Sequence, residues 1–126
     1  MKIMDGQTDV SSLADLGSVA VRLLCSGDFT ALATQFGYAL AYDRDPAVAI
    51  REELALSLSD LGASTLGPPP DQLPSVSYFE PNDTRLFALV EQYIPTDRTG
   101  HVLLELIVSS QGADKHVVLE QISAAA

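Results

Sequence analysis

Between Ala63 and Pro74 the apolar spacing of the chain changes from helical to extended, and that change dictates most of what it can become. Before it, apolar residues recur three and four apart, the repeat of one helix face; after it, they fall into short runs with the two-residue repeat of strands. The divider holds Pro68-Pro69-Pro70 and Pro74. Three consecutive prolines favour the extended polyproline II form, so the segment reads as a stiff spacer, too short to separate two domains.

On the helical side, about residues 11–62, three helices are expected. Ser11 or Ser12 caps the first, with Leu13, Leu16, Ala20, Leu23 and Leu24 as its apolar stripe and Ser26-Gly27 as its end. Asp28 caps the second, whose stripe is Phe29, Leu32, Phe36, Ala39 and Leu40. Gly37 then falls inside that helix at about 1 kcal/mol relative to Ala, which close helix packing would offset. Tyr38 and Tyr42 would lie one turn apart on one side. Asp45-Pro46 is the strongest start signal in the chain, because proline's missing N–H is harmless at the first helical position. The third helix buries Ala47, Ile50, Leu54, Leu58 and Leu61 and ends at Gly62.

On the extended side, residues 75–123, four strands are expected: Val76–Phe79, Thr84–Ile94, His101–Ser109 and Lys115–Ser123. Residues 1 to about 9 read as a loose lead-in and the last three alanines as a tail. Short turns force neighbouring strands to run antiparallel. The expected fold class is α+β, with three N-terminal helices packed on one face of a four-stranded antiparallel meander, in a single domain spanning 1–126. The run His101–Val108 is its central strand: Val102, Leu104, Leu106 and Val108 form one apolar face, and Leu103 and Ile107 flank Glu105 on the other.

Charge narrows the function classes. Seventeen acids against seven Lys and Arg leave a net charge of −10, without the basic patch that phosphate backbones or anionic membranes require. With 47% hydrophobic and 19% charged residues the chain is globular in composition. Cys25 is the one cysteine, so no intrachain disulfide can form, and its neighbours Leu23 and Leu24 point to a buried, inert thiol. No apolar run approaches the ~18 residues of a membrane span, and the N-terminus lacks the apolar core of a signal peptide. The expected location is the cytoplasm.

A helical half followed by an antiparallel meander resembles the cystatin-like and NTF2-like small α+β folds. The stretch Ser26-Gly27-Asp28-Phe29-Thr30-Ala31-Leu32 is similar to the Gly-Asp-Phe lead into a helix in NTF2-like proteins. The resemblance implies a half-open sheet, homodimers through that sheet, and in some members a small-molecule pocket; it implies no catalytic residues.

No metal, cofactor or nucleotide motif stands out. His101 and His116 lack ligand spacing, Asp43-Arg44-Asp45 lacks the glycine and distant Glu of a calcium loop, and no glycine-rich phosphate loop is present. Glu105 is open to pairing with Glu91 or Glu120, which would raise at least one of their pKa values. Solvated acids, or acids paired with Arg85, Lys115, His101 or His116, are the preferred reading. Tyr78, Glu91, Tyr93 and Glu105 are the candidate ligand-binding residues, in a pocket between helices and sheet. The second apolar face needs a cover, and whichever of Leu86/Ala88/Val90 or Phe87/Leu89 faces out, a sheet-to-sheet homodimer supplies it. The expected function is therefore a non-enzymatic, homodimeric association module. The alternative is a small-molecule binder or cofactor-free enzyme of NTF2-like type.

Overall fold

The computed structural model describes residues 1–125. Its architecture is α+β, as the change of period implies, with helices α1 (Val10–Cys25), α2 (Phe29–Phe36) and α3 (Pro46–Asp60). The sheet has five strands and not four: β1 (Lys2–Ile3), β2 (Ser75–Tyr78), β3 (Leu86–Pro95), β4 (His101–Gln111) and β5 (Asp114–Ala125), all antiparallel in the order β1-β5-β4-β3-β2. The extra strand comes from the supposed lead-in. Lys2 and Ile3 pair with His116 and Lys115, and Ile3 is buried. At the other end Ala124 and Ala125 are no tail; they pair with Val102 and His101. Ala126 lies outside the described residues.

Asp28 and Asp45 cap their helices as expected, accepting the backbone N–H of Ala31 and Val48. The cap of α1 is Asp9, not Ser11 or Ser12: its carboxylate accepts from the Ser12 N–H and hydroxyl. These two bonds hold the Asp9 carboxyl below its ordinary pKa. Gly37 is not inside a helix. It terminates α2 at φ +68° and ψ −169°, a conformation open essentially to glycine alone. The chain then runs along the edge of β5, where the Ala39 N–H donates to the Leu119 carbonyl. Tyr38 and Tyr42 therefore share no helix face; Tyr38 is buried and Tyr42 exposed.

The core lies between the three helices and one face of the sheet. Val102, Leu104, Leu106 and Val108 of β4 are buried there, with Ala88, Val90 and Ile94 of β3 and Val117, Leu119 and Ile122 of β5. From the helices come Leu13, Ala20, Val21 and Leu24, then Leu32 and Phe36, then Ala49, Ile50, Leu54 and Leu58. Leu16 and Leu23, expected in the stripe of α1, lie at its half-buried flank, while Ala14 and Gly17 take the closest positions. Cys25 is a free, half-buried thiol whose burial raises its pKa. Among the described residues no helix is long and apolar enough to cross a membrane.

Two bulges set which side chains share the open face of the sheet. Leu86 pairs with Ser109 and Ala88 with Val108, so Phe87 is an extra residue in β3. A bulge turns two successive side chains the same way. Phe87 accordingly joins Ala88 and Val90 on the helix side, packs against the core and takes the Lys115 ammonium 5.0 Å above its ring. The outward set is then Leu86 and Leu89, a mixture of the two sets the simple alternation allowed. In β5 the pairs Glu105–Gln121 and Leu106–Leu119 leave Glu120 as the second extra residue.

Candidate functional site

The helix-free face carries rows of side chains that follow directly from the strand register. Leu89, Ile107 and Val118 lie side by side across β3, β4 and β5. One row on, Glu91 sits opposite Glu105, which sits opposite Gln121 with Glu120 beside it. The next row is Tyr93, Leu103 and Ser123, and beyond it His101. The apolar members are half-buried apart from Tyr93, which is 53% exposed and meets the His101 ring edge-on at 6.3 Å.

The structure thus brings three of the four candidate residues, Glu91, Tyr93 and Glu105, onto one surface. That surface faces away from the helices. Tyr78 is elsewhere: its hydroxyl donates to the Thr8 carbonyl at 2.7 Å, and its ring meets Phe87 edge-on at 5.6 Å. Its place is at the far end of the sheet, tying β2 to the segment before α1.

The three glutamates have no cation among them. The ion pairs among the described residues are Lys2–Asp114, Arg44–Glu52 and Arg44–Glu53, so the expected pairing with Arg85, Lys115, His101 or His116 does not occur. Partial burial, then the charge of Glu91, then that of Glu120 push the Glu105 carboxyl above its ordinary 4.5. A carboxyl raised in the folded chain binds its proton there more tightly than in the unfolded chain. Folding is then favoured as pH falls through the raised value, and that gain is complete below the ordinary one. Like charges directly opposite on a sheet cost a few tenths to about 1 kcal/mol. Glu105→Gln is therefore expected to raise the unfolding free energy from urea denaturation by that much at about pH 8. The difference should vanish at about pH 4, where the native carboxyl is protonated too. A gain independent of pH would show that charge is not its cause.

Near the β2 edge this face dips into a hollow of about 270 Å³, lined by Ser75, Glu91, Tyr93 and His101 with Leu73 and Gln92. Gln92 had no signal beyond being a polar residue between Val90 and Ile94, yet it is 92% buried on the helix-facing side. No group of three His, Cys, Asp or Glu among the described residues is placed to hold a metal ion. No protein-family model matches the chain, and no curated protein or solved structure shows significant similarity to it.

Proposed function

We propose that the chain is a non-enzymatic association module whose helix-free sheet face packs against the same face of a second copy. The observation that carries this is the row Leu89–Ile107–Val118 with Leu103 and Tyr93 beside it, an apolar surface on the side without helices. Four strands at about 4.8 Å and some eight residues at about 3.3 Å make a face on the order of 500 Å² per protomer. Two such faces bury about 1,000 Å², the lower edge of a specific interface, so the pairing is a reversible one. A twofold pairing is closed, which limits assembly to two copies.

The glutamates set its conditions. Face-to-face packing brings both copies of Glu91, Glu105 and Glu120 into one poorly solvated layer, where ionised carboxylates repel. Association then takes up protons and strengthens as pH falls from about 8 toward the raised range of the Glu105 carboxyl. Light scattering at tens of micromolar is expected to give twice the 13.4 kDa chain mass at the lower pH, with a larger monomer fraction at the higher. A single-chain mass throughout would rule the module out.

A further inference from the structure

Pairing along the β2 edge of the sheet is interrupted. The β2–β3 ladder ends at Ser75–Glu91, and contact resumes at the Leu66–Thr96 bridge, beside which the Gly67 N–H donates to the Pro95 carbonyl at 2.7 Å. Residues 68–74 leave the edge between these points, so Gln92, Tyr93 and Ile94 have no strand beside them on that side. The cause is chemical: Pro68, Pro69, Pro70 and Pro74 have no N–H with which to continue a ladder. The segment is a strap, held at its start by Asp97, whose carboxylate accepts the N–H groups of Ser64 and Thr65.

Between strap, α1 and β3 lies a cavity of about 420 Å³, within the size range of small-molecule sites. Ser18, Val21 and Arg22 line it from α1, Leu73 and Pro74 from the strap, and Gln92 from β3. Gln92 is the informative residue. Its Nε2 donates to the Tyr93 carbonyl at 3.2 Å, while its Oε1 accepts no hydrogen bond among the described residues. The side chain is 92% buried, but this oxygen is not among the fully enclosed polar atoms, so it opens toward the cavity from a position whose strand neighbours Val90 and Ile94 are apolar and buried. Arg22 makes no ion pair among the described residues. We propose that this cavity binds a small aromatic monocarboxylate bearing one N–H or O–H donor. The carboxylate meets the Arg22 guanidinium, the donor meets Gln92 Oε1, and the ring lies against Val21, Leu73 and Pro74. Asp71, also on the wall, disfavours a second anionic group on the ligand.

Three probes of nearly one shape separate these contacts: indoleacetate, naphthaleneacetate, which lacks the donor, and indoleacetamide, which lacks the charge. Amide chemical shifts of the unaltered chain are followed on titration with each to about 5 mM, a range that reaches millimolar affinity. Indoleacetate is expected to shift the resonances of residues 18–22, 71–74 and 92 and to bind at least about fivefold tighter than either analogue. Arg22→Gln should remove its advantage over the amide, and Gln92→Leu its advantage over the naphthalene, with the fold retained in both. Equal binding of all three probes, or shifts confined to other residues, or none, would overturn the proposal on the unaltered chain alone.

Discussion

Leu106→Ala is expected to remove about 3–4 kcal/mol of the unfolding free energy, a large share of the 5–15 kcal/mol that holds most domains. Leu106 is fully buried in the middle of β4, paired with Val90 on one side and Leu119 on the other. Truncation removes its apolar burial and leaves a space that strands tied on both sides cannot close. Urea denaturation should show the midpoint falling with its slope unchanged. Leu103→Asp is the counterpart, three residues away on the opposite face of the same strand. It should leave the unfolding free energy within about 0.5 kcal/mol of native, the range of surface changes, and abolish self-association in light scattering. A Leu103→Asp chain as unstable as Leu106→Ala would place that face in the core and remove the basis of the dimer.

Gly17→Val should be nearly as damaging, against the trend of helix propensity. Within a helix, replacing glycine ordinarily gains up to about 1 kcal/mol. At Gly17 a Cβ would stand 2.8 Å from Val90 Cγ1 and 2.9 Å from Pro74 Cγ. Pro74 is a rigid ring and Val90 is packed in the core, so the neighbours cannot yield cheaply. Gly17→Ala is expected to cost about 1–3 kcal/mol and Gly17→Val more, by forcing the strap off α1. At about 4 °C per kcal/mol, thermal unfolding will register either change. Gly6→Ala, where a Cβ meets nothing within 4 Å, is the control and should lose nothing.

What could be read beforehand follows from how local each signal is. Asp28, Asp45 and Pro46 act within one turn of themselves, and their caps stand where their spacing puts them. The doubly apolar β3 and β4 announced a sheet with helices on one face. Other features depend on partners distant along the chain. Lys2 and Ile3 have no period of their own and become a strand only beside β5. Asp9 outcompetes the nearby serines because the helix starts at Val10, one turn earlier than its apolar stripe suggests. The Phe87 bulge is a property of register, so neither outward set could be chosen from alternation alone. Of the candidate site, Glu91, Tyr93 and Glu105 needed only the β3–β4 register to meet, while Tyr78 is separated from them by the direction of β2. Gln92 and Arg22 become partners in a cavity only through the path of the strap.

The position of β5 bears on how the chain is made. The fifth strand in chain order lies second from the edge, between β1 and β4, and both α2 and α3 pack on it. Sixty-five residues follow α3 before β5 is complete, several seconds of synthesis at about 5–20 residues per second. Through that interval Ile50, Leu54, Leu58, Leu32 and Phe36 have no sheet to cover them, and Met1 to Ile3 have no strand to join. Folding during synthesis therefore leaves these apolar helix faces incompletely covered until β5 emerges.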